Sequence, residues 1–351
     1  MLGETIVEPS AWPRVMDAIC KAVGAPGAVL LQADVRTLDV PRTNSVDELA
    51  SRYFAGGWQT RDIRAERGVP LVMRGTKAFI DEDILSLEEL EASAFVNECT
   101  LPTGFKWAAV VGFSAGSAMW GLCLQRTPRQ QPFSRSEARL LATLSDRLSE
   151  VATLASAIGR VALANAVNAL ESIGKPAVAV DRFGLVLGAN RLAESLFGND
   201  VRVKDRRLVV SDAHAAASLQ RLAGRLLAAP ETEPLLEPPI VVRARNSRTI
   251  LIDVLPVHPA ARNPFLGARA LLTFSDLSRG RTFDSRRIAV VFGLTPAEAR
   301  LAAALAEGRS LESIAEANGV SLTTARNQLK SVFSKTDTHR QSELVAFLAK
   351  L

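Results

Sequence analysis

The alternation of apolar and polar positions divides the chain into four stretches. From residue 10 to 133, Trp12, Val15, Met16 and Ile19 recur at helical spacing, and the pattern stops near Gly24. GAVLLQAD then reads as an apolar strand. Val46 to Phe54 reads as a helix with Leu49, Tyr53 and Phe54 on one side, and Leu87 to Cys99 as another. Trp107 to Phe113 and Met119 to Leu124 read as strands parted by a turn at Ser114-Ala115-Gly116-Ser117. From Ser134 to Gly174 there is no proline. Leu141, Leu144, Leu148, Val151, Ala155, Ile158 and Ala162 form a near-heptad stripe there, which predicts one long helix. Two readings stay open for it: a connector that pairs with its twin, or a core-packing helix broken at Gly159.

Residues 165 to 278 return to strands. PAVAVDRFGLVLGAN gives a strand, a turn at Asp181 to Gly184, a second strand and Asn190, before a helix through Leu192 and Leu196. IVVRARNSRTILIDVLPV reads as a hairpin turning at Asn246-Ser247, and ARALLTFSDL as a last strand. The final stretch is helical. Thr295 can cap a helix, Pro296 suits its first position, and Glu298 closes a capping box. Ser310 caps a second, short helix, Gly319 supplies a turn, and Ser321 caps a third helix running to about Thr336. Two short helices, a glycine turn and a longer helix make a helix-turn-helix.

That third helix has a polarity suited to DNA. Leu322, Ala325, Leu329, Val332 and Phe333 form its apolar stripe. The opposite face shows Thr323, Thr324, Arg326, Asn327, Lys330 and Ser334, with Lys335 near the end. Between Ser321 and Thr336 three residues are basic and none is acidic. A helix N-terminus flanked by hydroxyls suits a phosphate, and Arg and Asn can each read a base edge by paired hydrogen bonds. The plainer alternative is an amphipathic helix with a solvated basic face.

These residues resemble the LuxR/NarL family of DNA-binding domains. Its opening L-T-x-x-E falls on Leu294, Thr295 and Glu298, its turn glycine on Gly319, and its recognition-helix serine on Ser321. Thr324 with Ala325 matches a T-V pair, Lys335 a closing lysine, and Arg340 to Leu344 the R-x-E-L segment. The resemblance implies base-facing roles for Arg326, Asn327 and Lys330, and a fourth helix over Gln341 to Lys350 that often makes a dimer contact. Ala325 and Gln328 depart from the family's valine and histidine, which alters the expected DNA sequence. Ser321, Thr323, Thr324 and Lys335 complete the expected DNA-binding set, with Lys335 acting on phosphate.

Upstream, residues 1 to 133 resemble a GAF-like sensory domain, 134 to 174 a connecting helix, and 165 to 278 a PAS-like domain; the DNA-binding domain spans 285 to 351. Tyr53 to Asp62 also resembles the lactone pocket of quorum-sensing LuxR relatives, but Ile63 replaces the proline that follows the acid. A surface loop with a partly buried Trp58 is the plainer reading. As lining for another small ligand, Tyr53, Trp58, Asp62 and Trp107 are the expected residues. Gly112-Phe113-Ser114-Ala115-Gly116 fits the G-x-S-x-G nucleophile elbow, yet a strand pattern follows it where a helix is required, and Ser114 reads as a turn residue.

Composition adds little that changes this. At 351 residues, 48% of them hydrophobic, the chain can bury two or three cores. A net charge of +5 leans mildly toward acidic partners. Cys20, Cys99 and Cys123 lack metal spacing and fit a reducing compartment as small hydrophobes. No apolar run is read as a membrane span, and the N-terminus shows no export pattern. His214 sits at a polar helix start and His258 at a strand end, so no haem site is expected, and the segment has no cysteine for a flavin adduct. No cofactor is expected. The sequence therefore predicts an α+β multidomain, cytoplasmic, non-enzymatic regulator. GAF-like and PAS-like domains are joined by a long helix and followed by an all-α four-helix LuxR-type domain. The expected partners are double-stranded DNA, a second copy of the chain, and a small-molecule ligand of open identity. A sensory scaffold acting through protein contacts, and a serine hydrolase, are the competing classes.

Overall fold

The computed structural model describes residues 2–33, 40–228, 237–244, 248–258, 263–278 and 283–349. The architecture is α+β and multidomain. By contact the chain divides into two units: Met1–Asn246 with Ile250–Ser275, and Ser247–Thr249 with Asp276–Leu351.

The first unit opens with α1 (Trp12–Val23), which ends at Gly24 in the left-handed region (φ +64°), where glycine pays no steric cost. Strand β1 (Gly27–Gln32), helix α2 (Asp47–Ala55) and helix α3 (Ile63–Met73) follow. Sequence periodicity gives no hint of α3, because Gly68 and Pro70 both lie inside it. Packing overrides propensity there. A Cβ at Gly68 would stand 2.3 Å from the Phe79 ring, so the glycine makes room for that side chain. Next come β2 (Ala78–Ile80), α4 (Asp81–Ile84) and α5 (Leu87–Ala92); α5 is shorter than expected, and Phe95–Thr100 continues as a wider π-helical turn.

Strands β3 (Trp107–Ala115) and β4 (Ala118–Arg126) complete an antiparallel sheet in the order β1-β4-β3-β2. Ala115 pairs with Ala118, so the hairpin turn is only Gly116-Ser117, and Ser114 is a strand residue rather than a turn residue. Both faces of the sheet are covered, which is why its strands read as nearly continuous apolar runs. Leu30, Phe113, Trp120 and Leu122 face one core with Trp12 and Met16. Val29 joins a second core with Leu49, Tyr53, Trp58 and Phe95. Cys20 and Cys99 are buried in these cores, and burial pushes the Cys20 thiol up to about 12.

Helices α6 (Arg135–Ala142) and α7 (Leu144–Ser172) occupy the predicted long-helix stretch. Gly159 does not break α7. Instead its bare backbone admits Asn263, whose Nδ2 donates to the Ala155 carbonyl at 2.7 Å. The predicted stripe is largely core: Leu141 and Leu148 are buried against the first sheet, with Leu144 and Val151 partly so, and Ala155 is also buried. Contrary to the sequence reading, residues 135–172 are long and apolar enough to cross a membrane by length and composition (mean hydropathy 1.2 over 18 residues). Alanines dilute that run to the eye.

Strands β5 (Ala177–Asp181) and β6 (Val186–Ala189) turn at Gly184, with Asp181 Oδ1 accepting from the Phe183 and Leu185 amides at 2.8 Å. Asn190 is buried and fully used. Its oxygen accepts from Ala177 and Ala193, capping α8 (Arg191–Leu196), and its amine donates to the Val167 and Lys175 carbonyls. A hairpin, β7 (Val201–Lys204) with β8 (Arg207–Val210), precedes α9 (Ala213–Ala228). It turns on Asp205-Arg206, both at positive φ, in place of the Asn-Gly or Asp-Gly that would have announced it. With β9 (Ile240–Arg243), β10 (Thr249–Pro256) and β11 (Ala268–Asp276), the second sheet runs β6-β5-β11-β10-β9. The predicted turn at Asn246-Ser247 lies outside the described residues.

The second unit holds five helices among the described residues, one more than expected: α10 (Ser285–Phe292), α11 (Pro296–Ala306), α12 (Leu311–Ala317), α13 (Leu322–Thr336) and α14 (Gln341–Leu348). The extra one, α10, is capped by Asp284 and anchored by Ile288, while Val290 and Val291 stay exposed and blur its periodicity.

Candidate functional site

Helix α13 is set by its caps. The Thr295–Glu298 box closes on α11 as predicted, with Thr295 N donating to Glu298 Oε2 at 2.7 Å. Ser310 Oγ accepts from Ser313 N at 3.2 Å to start α12. Gly319 turns the chain at φ +65°, and Ser321 Oγ accepts from Thr324 N at 3.1 Å to start α13. Ala325 and Val332 are fully buried, so the opposite face points outward. Ser321, Thr323, Thr324, Arg326, Asn327, Lys330 and Lys335 are all exposed. Thr323, Asn327 and Lys330, three or four residues apart, share one face with Arg326 at its edge. Among the described residues neither Arg326 nor Lys330 enters an ion pair, so both charges face solvent.

Lys335 is different. Its Nζ pairs with Glu298 Oε2 at 2.8 Å, and Ser331 Oγ donates to Glu298 Oε1 at 2.7 Å. Glu298 is buried, and these contacts hold its carboxyl down to about 2, the Lys335 hydrogen bond contributing most. Lys335 thus ties α13 to α11 while its side chain stays exposed. Sequence reading used Glu298 only as a cap; its two partners, Ser331 and Lys335, one turn apart on α13, were the missed signal.

The ligand residues separate into three places. Tyr53 and Asp62 line a cavity of about 100 Å³ between the first sheet and the α2–α3 layer. Tyr53 Oη donates to Asp62 Oδ2 at 3.1 Å, while Asp62 Oδ1 caps α3 by accepting from Ala65 N at 3.1 Å. Trp58 is not on that cavity: it is buried against Phe95, with the Arg61 guanidinium 4.3 Å above its ring. It is therefore core, not a surface-loop residue. Trp107 is also elsewhere; its Nε1 donates to the Gln130 carbonyl at 3.1 Å and Lys106 lies over its ring. The unpredicted residues that line the cavity include Arg64 and Gln125. Arg64 belongs to the unread helix α3, and Gln125 is a polar position in an apolar strand. Ser114 sits in a strand followed by another strand, donating its amide to Ser149 Oγ at 3.0 Å. The G-x-S-x-G motif thus lacks the strand–turn–helix an elbow requires.

No family model matches the chain, and no curated protein matches it. Several solved structures overlap it in part. A phage VqmA bound to DPO is 22% identical at a TM-score of 0.23, covering 54% of this chain and 88% of that one. A Vibrio cholerae VqmA dimer, described among LuxR-type receptors, is 16% identical at 0.21, covering 51% and 86%. The E. coli DhaR(N)–DhaL complex is 11% identical at 0.24, covering 78% and 84%. At such scores these likenesses carry no argument, and function is read from the side chains.

Proposed function

We propose that the chain is a cytoplasmic, non-enzymatic DNA-binding transcription regulator of LuxR type, with a GAF-like domain, a connecting helix and a PAS-like domain ahead of its helix-turn-helix. The observation that carries this is the outward face of α13: exposed hydroxyls at a serine-capped helix N-terminus, then Arg326, Asn327 and Lys330, with no acid from Ser321 to Thr336. The N-terminal amides and hydroxyls suit a phosphate, and Arg326 and Asn327 suit guanine and adenine edges in a major groove. Selection from random-sequence duplex DNA followed by gel shift tests it. Arg326→Ala and Asn327→Ala each cost about 1–3 kcal/mol at one or two base pairs and relax the choice there. Unchanged base preference in both variants would overturn the docking.

The regulator acts as a homodimer. One such helix reads only a few base pairs, and two-fold pairing combines two half-sites. The seam proposed for pairing is the exposed apolar row Leu154, Ile158 and Val161 on α7, spaced four and three residues apart. A small ligand in the cavity beside Tyr53 and Asp62 modulates the regulator.

A further inference from the structure

The cavity under the α2–α3 layer has an apolar body and one polar end. Leu49, Val72, Phe79, Phe95 and Val110 supply the body. At the polar end Arg64 grips Asp81 in a bidentate ion pair, at 2.6 and 3.0 Å. Its Nη2 also donates to the Lys106 carbonyl. Asp81 Oδ2 accepts from the Ala108 amide at 2.8 Å. Strand register sets Gln125 directly opposite Ala108, which brings its side chain to the same end.

Two atoms there are left over. Arg64 Nη1 and Gln125 Oε1 are buried without a hydrogen-bond partner, on residues only 8% and 7% exposed. A buried donor and a buried acceptor left unmade both destabilise the fold, and such groups in native proteins call for an explanation. Their complementarity supplies one: a ligand with an acceptor for Nη1 and a donor for Oε1 satisfies both. The charges already present decide its ionisation. Asp81 is neutralised by Arg64, and Asp62 adds a further carboxylate to the wall. An anion meets the Asp62 carboxylate, a cation meets the guanidinium, and either loses its hydration on entry.

We propose that this cavity binds an uncharged, single-ring molecule carrying an amide-like acceptor–donor pair, held by Arg64 and Gln125. A cavity of about 100 Å³ sets that size. The inference rests on the reading of the chain as a ligand-modulated regulator, but its test does not depend on DNA binding.

The test titrates the full chain with four probes of nearly one shape: benzamide, benzoate, benzylamine and toluene. Benzamide is expected to bind at least tenfold more tightly than each of the others. Gln125→Met separates ligand contact from structure. It removes an orphaned acceptor, so the unliganded protein should melt at a higher temperature while benzamide affinity falls about tenfold. Arg64→Met also breaks the Asp81 pair, so it is not the primary variant. Toluene binding as well as benzamide, a charged probe binding best, no probe binding at all, or Gln125→Met leaving benzamide affinity intact would each overturn the proposal. DNA affinity of the same preparation is read separately. Failure there with benzamide selectivity intact overturns the regulator reading and leaves the cavity assignment standing.

Discussion

Glu298 does three things with one carboxylate: it closes the cap of α11, accepts from Ser331, and pairs with Lys335. Its carboxyl is lowered in the folded chain to about 2 from an ordinary 4.5. The unfolded chain therefore binds the proton first. The stabilisation is complete above pH 4.5 and is lost as pH falls through 2. Thermal unfolding of wild type and Glu298→Gln should differ most above pH 4.5 and converge toward pH 2; a constant gap would refute the assignment. Lys335→Ala should likewise cost about 1–3 kcal/mol of stability in the C-terminal unit, because it removes the cation paired with a buried carboxylate. In the proposed docking Lys330, whose charge faces solvent, is the candidate for a phosphate contact free of any structural pairing. Its loss should weaken all DNA sequences alike and flatten the logarithmic salt slope by about one unit, whereas Lys335→Ala leaves that slope unchanged. These residues show where sequence stopped. Caps at Thr295, Ser310 and Ser321 are local and were legible, whereas the Glu298–Lys335 pair spans 37 positions and was not.

Elements follow the same division. Helices with clean periodicity and a cap, such as α1 and α13, were readable to within a residue or two. Helix α3 was invisible because its rule-breaking residues answer to a neighbour, Gly68 to the Phe79 ring. Adding a methyl there should cost about 1–3 kcal/mol through forced repacking, so Gly68→Ala lowers the melting temperature although alanine favours helices. In α7 the right element was seen with the wrong face outward. A near-heptad stripe marks burial without saying against what, and Leu148 went to the sheet of its own chain. Charging Leu148 should therefore unfold the first unit. Ile158→Glu with Val161→Glu should instead split the proposed dimer with the melting temperature of the fold nearly unchanged. Analytical ultracentrifugation at micromolar concentration decides between them. A wild-type monomer that binds DNA as one unit would remove the dimer altogether.

At the scale of the molecule, α7 is shared property within the first unit. Leu148 and Ala152 serve the first core, and Val167, with Leu163 and Leu170 beside it, packs on Ala177 and Ala179 of the second sheet. Phe265, just ahead of β11, reaches the other way: its ring meets Trp12, Trp120 and Phe113 edge-on, with centroids 5.4, 5.0 and 6.2 Å apart. Asn263 fastens the same turn to α7 through the Ala155 carbonyl. Sequence drew two sensory domains joined by a connector, and nothing in NPFLG announced that this loop of one completes the core of the other. Long-range packing of a loop has no period to read. Two sheets that share a helix and an aromatic plug should melt as one cooperative transition. Phe265→Ala should remove about 2–4 kcal/mol, since the ring is partly buried and its edge-to-face contacts go with it. The loss should reach both sheets: tryptophan fluorescence, reporting Trp12 and Trp120, and hydrogen exchange at β5 and β11 should shift together. If fluorescence moves while exchange in the second sheet stays at its wild-type rate, the two cores are independent, and α7 joins them without coupling them.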